Sequence, residues 1–148
     1  MKERRAERPV LKRIQSALQR VLDCLRNGEV WRPGSEGFDA EMSRMLDLMQ
    51  QGFLEPAGIA PRFPLGQILI PSEAPHALKP AEIAFAIRSH ALGDWGLVSA
   101  EQRRSNEFSV THQRPIFSEY NALNGFRFFV VTEADRSATW VVMESIPA

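Results

Sequence analysis

The segment Glu55–Pro64 most strongly limits how this chain can fold. Four of its ten residues are Pro56, Gly58, Pro61 and Pro64. Proline removes a backbone donor and glycine favours irregular conformations, so neither a helix nor a strand is expected to continue through this segment. The sequence therefore predicts two parts. Residues 1–58 are a basic arm plus a helical hairpin, and residues 63–148 are an α+β domain.

Apolar spacing predicts two helices before this linker. The first begins at Pro9, places Leu11, Ile14 and Leu18 on one face, and ends at Asn27-Gly28. The second covers Asp39–Gln51 and is ended by a glycine. Because each helix has one apolar face, we expect the two to pack together as a hairpin.

After the linker, the pattern alternates between strand and helix signals. Asn124-Gly125 is a strong turn signal between two apolar runs, and Ser99 with Gln102 fits a capping box that opens a helix. The predicted elements are a strand Leu65–Ile70, helices Pro80–Ala91 and from Ser99 through about Val110, and strands Ile116–Tyr120, Phe126–Thr132 and Ala138–Met143. This β-α-α-β-β-β order predicts an antiparallel meander with helices on one face, and thus a mostly antiparallel sheet.

Charge is unevenly distributed, although the formal net charge is +0. Residues 1–26 contain eight Lys or Arg and three Asp or Glu, whereas residues 58–148 contain eight and nine. This distribution excludes a strongly basic nucleic-acid binder or an acidic DNA mimic, except for contacts made by the first helix. The basic face of the first helix therefore either contacts the phosphates of DNA or of a ribonucleoprotein partner, or it is simply exposed to solvent. The candidate phosphate or partner contacts are Arg4, Arg5, Arg8, Lys12, Arg13 and Arg20.

Cysteine, histidine and apolar content indicate location and cofactor use. Cys24 is the single cysteine and falls on an apolar helix face, which is typical of a packed thiol in a reducing compartment. No apolar run approaches the ~20 residues of a membrane span. The histidines lack ligand spacing, so we expect no metal or cofactor, although a carboxylate-held ion at Asp94 and Asp135 is an alternative. We expect a cytoplasmic protein without membrane association.

Several short motifs carry a resemblance over residues 63–143. They are Leu65-Gly66-Gln67-Ile68, Arg88-Ser89-His90, Gly93-Asp94-Trp95-Gly96, Asn106-Glu107 and the segment Thr132–Thr139. With them the chain resembles a family of short bacterial proteins encoded on plasmids, integrative elements and phages. These are often labelled plasmid-related proteins, or misnamed type I restriction subunits.

The resemblance implies a mobile-element origin and a cytoplasmic location, and it carries no activity. Two features depart from the family pattern. Ala100-Glu101-Gln102 stands where members have an acidic pair, and the usual acidic, aromatic tail is missing. Residues 1–58 lie outside the resemblance.

Titratable and aromatic residues in the predicted turns define a candidate functional site. Turns at one end of a sheet can converge, and a histidine there could act as a base near neutral pH. The alternative is structural: a turn-forming aspartate, a core tryptophan and a surface ion pair. The candidate residues are His90, Asp94, Trp95, Glu133, Asp135 and Arg136.

Three hypotheses from different classes follow. The first is a non-enzymatic accessory or counter-defence protein, for example an anti-CRISPR, that binds a host protein or nucleoprotein complex. The second is a toxin-like RNase, based on the order of elements alone. The third is a small nucleotide or ligand enzyme that uses the Asp94 and Glu133–Arg136 loops. We favour the first, because no complete catalytic set is present. The edges of a short sheet also favour a homo-oligomer.

Overall fold

The computed structural model describes residues 40–54, 59–71 and 78–143, together with Gln19, Val30 and Trp31. Apart from Gln19, the predicted first helix and its basic residues lie outside the described residues. The helices are α1 (Ala40–Gln50), α2 (Pro80–Ala91) and α3 (Ala100–His112). The strands are β1 (Val30–Trp31), β2 (Gln67–Pro71), β3 (Ile116–Asn121), β4 (Arg127–Thr132) and β5 (Ala138–Met143). None of the described helices is long and apolar enough to cross a bilayer.

The four longer strands form a mixed sheet in the order β2-β5-β4-β3, and β1 adds two residues beside β2. The β3–β4 and β4–β5 pairs are antiparallel, as the predicted meander requires. The β2–β5 pair is parallel, with Gln67 opposite Ala138 and Leu69 opposite Trp140. A parallel neighbour requires a crossover, and α2, α3, β3 and β4 lie in the chain between these two strands.

The fold is α+β, and the element order after the linker is the predicted one. Helix α2 has the predicted bounds, and Ser99 caps α3 by accepting a hydrogen bond from the Gln102 amide. The prediction of a mostly antiparallel sheet was wrong, because β2 inserts parallel to β5 rather than extending the meander. Strand polarity is set by the path of the chain between strands, which apolar spacing does not record.

The main core lies between the helices and one face of the sheet. Helix α1 contributes Met42, Leu46 and Met49 to the same buried cluster as Ile87 of α2 and Val130 of β4. The predicted division at residues 58–63 stays a prediction, but α1 packs as part of the C-terminal core. A smaller buried cluster, which includes Phe129, Trp140 and Val142, lies on the opposite face.

Gly66 is the point where the chain entering β2 meets the β4–β5 turn. Its φ is +64°, and a Cβ atom there would lie 2.4 Å from the carbonyl carbon and oxygen of Ser137. The adjacent Gln67 amide donates to the Ser137 carbonyl at 2.9 Å. A side chain at position 66 therefore blocks the backbone contact at which the parallel pairing begins.

We expect Gly66→Ala to lower the free energy of unfolding by roughly 3 kcal/mol or more, since it adds a backbone clash to left-handed strain. Gly52→Ala is the matched control, because Gly52 also has a positive φ (+92°) but no atom within 4 Å of the added Cβ. The control should lose only about 1–2 kcal/mol. Denaturant unfolding measures both losses, and equal losses would show that the contact with Ser137 does not limit this position.

Candidate functional site

His90 lies at the centre of a buried polar network between α2 and the sheet. Its side chain is 0% exposed. Its Nδ1 lies 2.5 Å from Ser118 Oγ of β3, and its Nε2 lies 2.8 Å from Thr132 Oγ1 of β4. The network continues from Thr132 Oγ1 to Thr139 Oγ1 at 2.8 Å, and Thr139 donates to the Leu65 carbonyl at 2.7 Å. One ring therefore ties α2 to two strands.

The carbonyl at the end of this network assigns the direction of each hydrogen bond. The Leu65 carbonyl can only accept, so Thr139 donates to it and accepts from Thr132. Thr132 in turn accepts from His90, which places the ring proton on Nε2 and leaves Nδ1 to accept from Ser118. Burial, together with the nearby positive charge of Arg136, lowers the pKa of His90 to about 3. His90 is thus neutral and out of reach of solvent, which argues against the base predicted for it.

Trp95 is also buried, and it belongs to an aromatic cluster with Phe63 and His90. The ring centroids of Phe63 and Trp95 are 6.1 Å apart, and those of Phe63 and His90 are 5.2 Å apart. Trp95 Nε1 donates to Glu107 Oε1 at 3.2 Å, so its polar atom is satisfied at the surface. Phe63, which the sequence placed at the end of a linker, is a core residue because its ring packs against both His90 and Trp95.

Arg62 closes this cluster on the solvent side. Its guanidinium forms two hydrogen bonds with the Glu107 carboxylate, at 2.9 and 2.6 Å, and lies 5.8 Å from the Trp95 ring centroid. The Arg62 hydrogen bond, with a further contribution from Trp95, lowers the pKa of Glu107. Both charged side chains are more than one third exposed, so the pair positions Trp95 more than it stabilises the fold.

Arg136 joins the β4–β5 turn to the end of α3. Its guanidinium donates to the carbonyls of Ser109 (2.6 Å), Arg114 (2.7 Å) and Glu133 (3.1 Å), and lies 5.8 Å from the Phe63 ring centroid. A cation at a helix C-terminus satisfies free carbonyls and opposes the negative end of the helix dipole. Arg136 therefore caps α3 from a neighbouring turn, and no carboxylate among the described residues pairs with it.

The three candidate carboxylates bond within their own turns. Asp94 accepts from the Gly96 amide at 3.4 Å, and Asp135 accepts from the Ser137 amide at 3.0 Å. Glu133 accepts from the Ser137 hydroxyl at 3.0 Å. Hydrogen bonds from Ser137 lower the pKa of Asp135. The described hydrogen bonds and ion pairs do not link Asp94 to either residue of the β4–β5 turn.

The structure therefore brings His90, Trp95 and Arg136 together around Phe63, while Asp94, Glu133 and Asp135 face their own loops. Within residues 40–54, 59–71 and 78–143, no group of three His, Cys, Asp or Glu side chains could hold a metal ion. The predicted phosphate contacts, Arg4, Arg5, Arg8, Lys12, Arg13 and Arg20, lie outside the described residues.

The outer edge of β3 is covered by side-chain and loop backbone groups. The Asn106 side chain of α3 donates to the Phe117 carbonyl at 2.6 Å and accepts from the Phe117 amide at 3.2 Å. Two residues on, the Glu119 amide donates to Trp95 O, and its carbonyl accepts from Leu97 N. Gly96 is required between them, since a Cβ there would lie 2.1 Å from the Glu119 carbonyl oxygen. These contacts protect an edge that could otherwise pair with another chain.

An apolar groove, which the sequence did not predict, lies beside the end of β3. It has a volume of 510 Å³ and lies between α2, the loop after Trp95 and the β3–β4 turn. Its largest exposed side chains are Phe85, Leu97 and Leu123, of which Leu123 is 84% exposed. The Glu82 carboxylate of α2 accepts from the Leu123 amide at 2.5 Å, and this bond joins α2 to the β3–β4 turn. The same carboxylate accepts from the Lys79 amide at the start of α2 at 3.0 Å.

Two signals in the sequence could have identified this groove. Phe85 is a large apolar residue that falls outside the inward stripe of α2, which consists of Ile83, Ala84, Ile87 and Ala91. Leu123 lies beside the Asn-Gly turn signal, where polar residues are usual. Neither signal shows that the two residues line one surface, because they are 38 positions apart in the sequence.

Comparisons with known proteins do not assign this site. No protein-family model, curated protein or solved structure matches the chain.

We expect acid to destabilise the protein through His90. The folded ring takes up a proton only near pH 3, whereas the unfolded ring does so near its ordinary pKa of about 6.5. The unfolded state therefore binds the additional proton between these values, and stability falls as the pH decreases below about 6.5. One such proton is worth about 2 kcal/mol between pH 7 and pH 5.

Urea unfolding at each pH measures this loss, which should be smaller in His90→Gln. Nitrogen NMR of the wild-type imidazole is an independent check if that variant does not fold. The ring should remain neutral with its proton on Nε2 down to pH 5. A His90 ring that titrates near pH 6.5 in the folded protein would contradict the assignment.

We expect Arg136→Ala to lower the free energy of unfolding by about 2 kcal/mol, because it removes charge-assisted hydrogen bonds to the end of α3. Hydrogen exchange should increase selectively over the last turn of α3. Arg136→Lys retains the charge but lacks the planar guanidinium that bonds to several carbonyls at once. It should therefore be more stable than Arg136→Ala but less stable than the wild type. Unchanged exchange in the alanine variant would show that Arg136 does not cap the helix.

Proposed function

We propose that this protein is a binding protein encoded by a mobile genetic element, and that it acts as an accessory or counter-defence factor on a host protein or nucleoprotein complex. The partner protein docks in the groove lined by Phe85, Leu97 and Leu123. The observation that carries this proposal is the grouping of three large, solvent-exposed apolar side chains around one concavity. Single exposed apolar residues are common, but an apolar patch around a concavity is typical of an interaction surface.

The backbone beside the groove favours an extended polypeptide segment as the occupant. Alternate residues of an edge strand direct their amide and carbonyl groups away from the sheet. Glu119 does so, and its groups bond to the Trp95–Leu97 loop. Asn121 has the same orientation two residues later and lines the groove, but no described hydrogen bond occupies its outward groups. A partner segment can therefore form backbone bonds at Asn121 and insert an apolar side chain beside Phe85.

The roles of the polar candidates support a non-catalytic function. His90 is neutral and buried, Arg136 bonds to backbone carbonyls, and the Asp94 carboxylate faces the Gly96 amide in its own turn. Among the described residues, no observation favours the RNase or ligand-enzyme alternatives over binding. The cytoplasmic location, the host partner and the mobile-element origin are parts of the same proposal.

Replacing Phe85 with serine should weaken partner binding about tenfold or more, since a central aromatic anchor is lost. Phe53→Ser is the matched control, because Phe53 and Phe85 are both 64% exposed and only Phe85 lines the groove. Tagged wild-type protein and both variants would be used to recover partners quantitatively from a bacterial host lysate. The expected result is a partner that Phe53→Ser retains and Phe85→Ser loses.

A photo-crosslinking residue at Leu123 gives a second readout, since this exposed side chain can be replaced without removing core contacts. It should crosslink to the same partner, at an apolar segment. Equal recovery with Phe85→Ser and Phe53→Ser, together with no crosslink from position 123, would overturn the groove as the docking site.

A further inference from the structure

A second surface, on α3, combines aromatic rings with positive charges that form no ion pair with a described carboxylate. Arg104, Phe108 and His112 are four residues apart and therefore lie along one face of the helix. The rings of Phe108 and His112 are stacked, with centroids 3.7 Å apart and planes 7° apart. Arg114, just beyond the helix, places its guanidinium carbon 5.2 Å from the Phe108 centroid. We call these four residues the α3 ridge.

The ring pair is held in place although it is exposed. His112 Nδ1 donates to the Phe108 carbonyl at 2.9 Å, and Thr111 Oγ1 lies 2.9 Å from the same nitrogen. Phe108 remains 46% exposed. Apart from Phe108, no described ring or cation stacks on His112. The stack can therefore be extended by a further planar group.

The positive charges of the ridge are not neutralised by described acids. The ion pairs in the described part of the chain are Arg62–Glu107 and Arg127–Glu119. Glu107, the acid next to Phe108 in the sequence, is thus already paired with Arg62. Arg104 and Arg114 are exposed and have no carboxylate partner in these regions. The ridge consequently matches a ligand that has both negative charge and flat rings.

We propose that the α3 ridge binds single-stranded nucleic acid. A base stacks on the Phe108–His112 pair, and Arg104 and Arg114 contact the phosphates on either side of it. Stacking is open to every base, so the site recognises an unpaired strand rather than a sequence. The ridge shares no residue with the lining of the groove, and the proposal does not depend on the proposed protein partner.

The chemistry favours a single strand over a duplex. Bases in a duplex stack on one another, so only an unpaired base presents a face to the ring pair. From Arg104 to His112 the ridge covers nine residues, or about 12 Å along the helix axis, which is enough for a few nucleotides. Duplex binding depends on many phosphate contacts, and residues 58–148 as a whole carry a formal charge of eight minus nine, or −1.

The test measures fluorescence anisotropy of the full chain with labelled oligothymidylate of about ten nucleotides. An abasic deoxyribose-phosphate oligomer and a duplex of the same length serve as comparison probes. We expect the abasic oligomer and the duplex to bind about tenfold more weakly than oligothymidylate. Phe108→Leu should weaken oligothymidylate binding by about tenfold, because it removes one of the two stacked rings and leaves the charge unchanged.

Arg104→Gln and Arg114→Gln should each weaken binding and reduce the slope of log affinity against log salt by about 0.7, equivalent to one phosphate on a single strand. Arg44→Gln on α1 is the matched control, since Arg44 is an exposed arginine on another helix. Binding that is absent, equal for the abasic oligomer, or unchanged in Phe108→Leu would overturn the proposal. Preferential binding of a phosphoserine peptide would instead assign the ridge to an anionic protein segment, and would also overturn it.

Discussion

The arrangement of α2, β3 and β4 depends on the hydrogen bonds that the neutral imidazole of His90 forms. Its two ring nitrogens bond to Ser118 and Thr132, and the network ends at the Leu65 carbonyl. Buried polar atoms are costly unless each one is paired, so this network allows one relative position of these elements and penalises the others. The parallel strand β2 is connected to the meander through the same network, because Leu65 leads into it.

Much of the short-motif pattern in this chain is explained by architecture. Gly66 and Gly96 allow two close backbone approaches, and Asn106 covers the outer edge of β3 with its side-chain amide. Arg136 lies in the β4–β5 turn and caps the C-terminal end of α3. Polar residues in tight turns resemble a catalytic site in sequence because catalysis and backbone satisfaction require the same chemical groups. Distances and burial distinguish the two roles here.

Two exposed surfaces have no part in these structural contacts, and they differ in chemistry. One is an apolar groove beside the end of β3, where no described hydrogen bond occupies the outward backbone groups of Asn121. The other is the α3 ridge, where aromatic rings and arginines lie along one helix face. The occupants proposed for these surfaces are a polypeptide segment for the groove and a nucleic-acid strand for the α3 ridge, and a nucleoprotein complex contains both. The groove and the ridge are therefore compatible with binding to one assembly.

The sequence by itself determined the local elements from residue 65 onwards. Apolar periodicity, the Ser99 cap and the Asn124-Gly125 turn are signals within a few residues, so helix α2 and strand β5 have their predicted bounds. Only the tertiary structure decided the parallel β2–β5 pairing, the burial of His90 and the grouping of Phe85 with Leu123. These features join residues tens of positions apart. Such contacts depend on the path of the whole chain, which local spacing does not encode.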